Sequence, residues 1–117
     1  MKNSTKVRED VQEYYGKVLK TKNDLQTSAC CAAETMPAYL RPYLINIHEE
    51  VQSRFYGCAS TFPSGLYGKT VVDLGCGSGR DCYLLAQVVG PDGLVIGIDM
   101  TDEQLTVAKK YISYHTN

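Results

Sequence analysis

Two short apolar runs, TVVDL at Thr70–Leu74 and LVIGI at Leu94–Ile98, dominate the second half of the chain. Both are rich in β-branched residues and bounded by glycine or an acid, which predicts two strands. Between them, from about Arg80 to Val89, the apolar positions take helical spacing, with Tyr83, Leu84, Ala86 and Val88 available to pack on a sheet. Gly90-Pro91-Asp92-Gly93 is a strong turn signal leading into the second strand. Beyond it, Thr101 and Gln104 have the spacing of a capping box, and Leu105, Ala108 and Ile112 continue one face of a further helix. Strand, helix, strand, helix in this order predicts an α/β fold with a parallel sheet.

The first half reads as helical. A stretch beginning near Ser4 or Thr5, either a suitable N-cap, places Val7, Val11, Tyr14, Tyr15, Val18 and Leu19 on one stripe, interrupted by Gly16. Lys20 to Pro37 has no sustained period and is read as a loop carrying Cys30 and Cys31. Pro42 fits the first turn of a second helix, with Leu44, Ile47, Val51 and Phe55 as its buried stripe and Gly57 as its end. His48-Glu49-Glu50 is read as the solvated polar face of that helix, because a metalloprotease H-E-x-x-H would need histidine where Gln52 stands. A loop with Pro63, Gly65 and Gly68 forms a joint, so residues 1–68 are expected to be a helical N-terminal extension and 69–117 the start of a ligand-binding domain.

The candidate chemistry lies where the first strand ends. Gly75, Gly77 and Gly79 follow it at alternate positions, allowing positive φ and leaving no Cβ between the backbone and a ligand at a helix N-terminus. The dinucleotide pattern G-x-G-x-x-G fails at Arg80, and no Gly-Lys-Ser or Gly-Lys-Thr follows to make a P-loop. What remains is D-x-G-x-G-x-G from Asp73 to Gly79, similar to the first motif of class I S-adenosylmethionine methyltransferases. Asp99 closes the second strand about 20 residues beyond the glycines, where an acid can accept both ribose hydroxyls of a nucleoside.

Composition narrows the classes without adding a site. The 117 residues are 44% hydrophobic and 21% charged, ordinary for a globular protein. Twelve basic and thirteen acidic residues are interspersed, leaving no electrostatic footprint for nucleic acid. No apolar stretch approaches the roughly 18 residues needed to cross a bilayer, and the N-terminus has no signal-peptide core, so a cytoplasmic location is expected. In that compartment the five cysteines are expected to be free thiols, and their spacing matches no structural zinc site. Cys76 and Cys82 are read as packing residues.

Taken together, these segments resemble the arsenite methyltransferases. The resemblance rests on Val11 through Gly16 with Leu25-Gln26-Thr27 and Cys30, and on His48 through Val51 leading to Arg54-Phe55-Tyr56-Gly57-Cys58. It continues through Asp73-Leu74-Gly75, Gly79 through Tyr83, Gly97 through Thr101 and Val107 through Tyr111. It implies the N-terminal part of a Rossmann-like class I methyltransferase fold, and an enzyme that moves methyl groups from S-adenosylmethionine to trivalent arsenic held by thiolates. Arsenite or its glutathione conjugate would be the substrate, and glutathione or thioredoxin the thiol reductant. Soft trivalent arsenic suits thiolate ligands. By position, the resemblance implies that Cys58 is an arsenic ligand or redox cysteine and Cys30 a redox partner. Tyr56, Asp73, Gly75, Gly77, Gly79, Asp99 and Met100 would bind the cofactor.

A doubly wound sheet has about five strands or more, and only two are legible here. The chain is therefore expected to be part of a larger enzyme, and association with full-length subunits through an exposed sheet edge is one partner expectation. Two other readings share the cofactor half: a different small-molecule methyltransferase, in which Cys30 and Cys58 are dispensable, and a non-catalytic product acting only by interaction.

Overall fold

A computed structural model describes residues 4–14, 36–56 and 62–115. Both strands form where the apolar runs place them: β1 (Thr70–Leu74) and β2 (Leu94–Ile98) pair in parallel, with Val72 opposite Ile96 and Asp73 opposite Gly97. Between them α4 (Arg80–Val89) packs on both strands, and α5 (Asp102–Lys110) follows β2. The N-terminal part comprises α1 (Ser4–Glu13), a 3-10 turn (Ala38–Leu40), α2 (Arg41–Leu44) and α3 (Glu49–Ser53).

One core joins the two halves. Met36, Leu40, Leu44, Ile47 and Val51 are buried with Leu84 of α4 and Val107 of α5, and Tyr43, Phe62, Tyr83, Val88 and Tyr111 close the cluster. Burying an aliphatic side chain of this size contributes about 1.5–3 kcal/mol, so these short helices are held by packing, being too short to persist alone. Polar side chains stitch the same seam. Gln87 Nε2 donates to the Tyr43 carbonyl at 3.0 Å, and Asn46 Nδ2 donates to Gln87 Oε1 at 2.7 Å.

Three local expectations fail, each for a tertiary reason. The single helix expected from Pro42 is broken over residues 45–48, where Gln52 Nε2 captures the Leu44 and Ile47 carbonyls and His48 becomes the N-cap of α3, its Nδ1 accepting from the Glu50 N–H at 3.1 Å. His48-Glu49-Glu50 is consequently no plain solvated face: the His48 ring stacks on Tyr111, and the Glu50 carboxylate meets Lys110 and the Tyr111 hydroxyl. Those two partners, Tyr111 first, hold the Glu50 carboxyl below its usual range. The capping box at α5 does not form either. Thr101 is the N-cap residue without a side-chain bond, Gln104 turns inward to the Arg54 carbonyl, and the buried face runs through Gln104 and Val107 while Ile112 is exposed. On α4 the buried positions are Arg80, Leu84, Leu85 and Val89.

The sheet face opposite this core carries Val72, Leu74, Leu94, Ile96 and Ile98, all exposed. Parallel sheets are normally covered on both faces. Among the described residues this one is covered on one.

Candidate functional site

The two strands end side by side, and the loops leaving them frame a cleft of about 470 Å³. This is where open parallel sheets bind ligands, and the volume lies within the roughly 300–1,000 Å³ of small-molecule sites. Asp73, Gly75, Gly77, Asp99, Met100 and Tyr56 all line it. Gly79 does not; it sits at the start of α4 against Tyr83 and Ala108. Cys30 and Cys58 lie outside the described residues.

The glycine loop is built by tension between strand and helix. Gly75 and Cys76 donate their N–H groups to the Ile98 carbonyl at 2.7 and 3.0 Å, prolonging the pairing past the end of β1. Gly75 and Gly77 take φ of +77° and +56°, and nothing lies within 4 Å of where a Cβ would stand on either. Any other residue would be strained in that conformation and would fill the space over the strand ends. The loop's contribution is therefore close approach. The N–H groups of Gly75, Cys76, Gly77 and Gly79 already have partners within the protein.

Asp99 anchors this arrangement. One carboxylate oxygen accepts from the Gly77 N–H at 2.9 Å and the other from the Thr101 N–H at 2.8 Å, tying the glycine loop to the entry of α5. Each carboxylate oxygen has a second lone pair, so the group retains capacity for hydroxyl donors. Asp73 stands beside it at the end of β1. Burial raises its carboxyl above the ordinary range, assisted by the charges of Asp81 and Asp99 and opposed by the Cys82 thiol, which donates to Asp73 Oδ2 at 3.4 Å.

Several supporting residues carried no signal in the sequence. Arg80, which breaks the dinucleotide pattern, is buried, with its guanidinium 3.2 Å above the centre of the Phe55 ring and bonded to Asp81 at 3.0 and 3.1 Å. Ser78, also buried, donates to the Val51 carbonyl at 2.8 Å and fixes the loop to α3. Gln104 lines the cleft, and its buried Oε1 has no hydrogen-bond partner among the described residues. Such an atom awaits a donor. From α1, Val11 lines the cleft and Gln12 donates to the Met100 carbonyl. Long-range contacts of this kind follow from no local pattern.

Cys76 and Cys82 are both free and half-buried. The hydrogen bond from Cys82 lowers the Cys76 thiol below its ordinary value, whereas Cys82, bonded to Cys76, buried and near Asp73, is pushed well up.

These residues fit an adenosyl ligand: open space over the glycines, an acid at the end of each strand, an orphan acceptor in Gln104, and apolar walls from Leu74, Ile98 and Met100. The comparisons with known proteins point the same way. Residues 67–116 match a methyltransferase domain family. An arsenite methyltransferase of Aquipseudomonas alcaligenes is 57% identical over 93% of this chain and 32% of its own length. Those of Mus musculus and Homo sapiens are each 52% identical, over 97% and 93% of this chain and 31% and 29% of their own lengths. The crystal structure of CrArsM, an arsenic (III) S-adenosylmethionine methyltransferase from Chlamydomonas reinhardtii, superimposes with a TM-score of 0.61 at 46% identity, covering 63% of this chain and 25% of that one. The chain thus spans about a third of the length of the curated relatives it matches. The likeness to these arsenite methyltransferases runs over nearly all of this chain's residues.

Proposed function

We propose that this chain supplies the cofactor cleft and part of the thiolate set of an enzyme that methylates trivalent arsenic. The observation that carries the reading is the cleft itself: the glycine loop, Asp73, Asp99, Met100 and Tyr56 converge at the ends of two parallel strands, in a chain about half identical to arsenite methyltransferases. When bound, S-adenosylmethionine supplies an electrophilic methyl group on a sulfonium. Asp99 would orient the ribose while holding the loop open, Gly75 and Gly77 would admit the ligand to the backbone, and Asp73 would face the cationic end with its carboxylate.

Arsenite, or its glutathione conjugate, is the substrate in this reading. Cys58 would be one of its sulfur ligands, holding the arsenic lone pair toward the methyl group. Such positioning is where most of the rate enhancement would arise. Cys30 would serve in the thiol exchange through which glutathione or thioredoxin returns arsenic to the trivalent state. We place the enzyme in the cytoplasm, with residues 1–68 as the cysteine-bearing extension and 69–117 as the start of the cofactor domain.

The test is arsenite methylation in the presence of glutathione, comparing the wild type with Cys58→Ser. Loss of methylated product with cofactor binding intact is expected. Unchanged methylation in Cys58→Ser would overturn the role of Cys58, and turnover of an unrelated substrate with none on arsenite would overturn the substrate.

A further inference from the structure

Cys76, in the glycine loop, and Cys82, in the first turn of α4, are brought together over the backbone of Gly97. The point where a Cβ would stand on Gly97 lies 2.8 Å from Cys82 Sγ and 2.9 Å from Cys76 Sγ. Any side chain at 97 would occupy the place where the two sulfurs meet. Cys82 donates its S–H to Asp73 Oδ2 at 3.4 Å, and Cys76 Sγ lies 3.8 Å from the Gly77 carbonyl. Cys76 lines the cleft, which gives the pair a route to solvent.

From this convergence we propose that Cys76 and Cys82 form a second thiol site, apart from Cys58, that captures a mono-organic trivalent arsenical. Two sulfurs and an organic group complete the three bonds of trivalent arsenic, and thiolates are its preferred ligands. Starting from R–As(OH)₂, two As–S bonds form and two As–OH bonds break. Each thiol proton leaves with one hydroxide as water, and arsenic stays trivalent, so no oxidant or reductant is needed. Asp73, which accepts the Cys82 S–H, is placed to take that proton on its way to the leaving hydroxide. The adduct would sit beneath the loop that Asp99 anchors and would hold it in place. The capture is independent of methyl transfer: it concerns thiols that the proposed reaction does not use.

The test uses phenylarsine oxide, which hydrates to such a species, on the unsubstituted 117-residue chain. After limited labelling, cleavage at Lys69, Arg80 and Lys109 separates the two cysteines. The expected product is Thr70–Arg80 joined to Asp81–Lys109 through one phenylarsenic, with two hydrogens lost. In a Cys30→Ser/Cys31→Ser/Cys58→Ser variant, one equivalent should remove both remaining thiols from maleimide labelling. A further Cys82→Ala or Cys76→Ala change should weaken binding on the order of 100-fold or more, the scale of a lost chelate. Arsenic bridging only other cysteine pairs in the unsubstituted chain would overturn the proposal. So would equal affinity in the folded and urea-unfolded variant, because the folded geometry would then contribute nothing.

Discussion

Asp99 is the residue whose replacement separates anchoring from ligand binding. Its two oxygens accept from the Gly77 and Thr101 N–H groups at 2.9 and 2.8 Å. In Asp99→Asn the size is preserved, but one of those N–H groups must face an NH₂ donor, and the other bond loses its charge. Hydrogen bonds to charged groups contribute about 1.5–3 kcal/mol each and neutral ones about 1. Asp99 is half-exposed, so the lower end applies, and the net loss is about 2 kcal/mol, or roughly thirtyfold in local opening. Amide hydrogen exchange reads this directly. Protection at Gly77 should fall by about that factor, while amides in the middle of α4, such as Leu84, keep theirs. Unchanged protection at Gly77 in Asp99→Asn would refute the anchoring role.

The remaining predictions probe the core, the tight contact under the loop and one titrating group. Leu84 is fully buried in the shared core, so Leu84→Ala should destabilise by about 2–5 kcal/mol in denaturant unfolding; a loss below 1 kcal/mol would mean the two halves do not share that core. Gly97→Ala drives a methyl group to 2.8 Å from Cys82 Sγ and 2.9 Å from Cys76 Sγ, and overpacking of this kind costs about 1–3 kcal/mol; a thermal midpoint equal to the wild type would contradict the packing. His115 is buried and stacked on Tyr83, its Nε2 accepts from the His48 N–H at 3.1 Å, and Nδ1 lies 2.8 Å from the Tyr111 carbonyl, to which it donates. Burial lowers its pKa below the ordinary 6.5, with a smaller push from His48. The neutral form is favoured by folding, so its stabilisation is complete above about pH 6.5 and lost as pH falls from there through the folded-state value. The thermal midpoint should drop as pH falls below about 6.5, by less in His115→Phe, and an equal drop in the variant would sink the assignment.

What the residue pattern made legible is the unit whose order is local. β1, α4 and β2 form where runs, glycines and the Gly90–Gly93 turn place them, because strand period, helix period and turn chemistry agree there. The stretch from Pro42 toward Gly57 reads as one helix because nothing in its spacing reveals that Gln52 will take the Leu44 and Ile47 carbonyls. Gln104 shows the same limit: a capping-box position by spacing, it is drawn instead into the wall of the cleft. The glycines and both acids of the site could be named from the motif. The Arg80–Phe55 stack, the Ser78–Val51 bond and the meeting of Cys76 with Cys82 over Gly97 could not, since each joins residues whose proximity exists only after folding. The exposed apolar strip on the sheet follows from the same reading, two parallel strands having only one covered face among the described residues.

The most direct test of the account is calorimetric titration of the 117-residue chain with S-adenosylmethionine, with thermal unfolding in parallel. The account predicts saturable one-to-one binding, displaced by S-adenosylhomocysteine and weakened in Asp99→Ala. A chain that unfolds cooperatively yet shows no binding heat or shift in midpoint at millimolar cofactor would contradict it, because the cleft would then be formed and still not be a cofactor site.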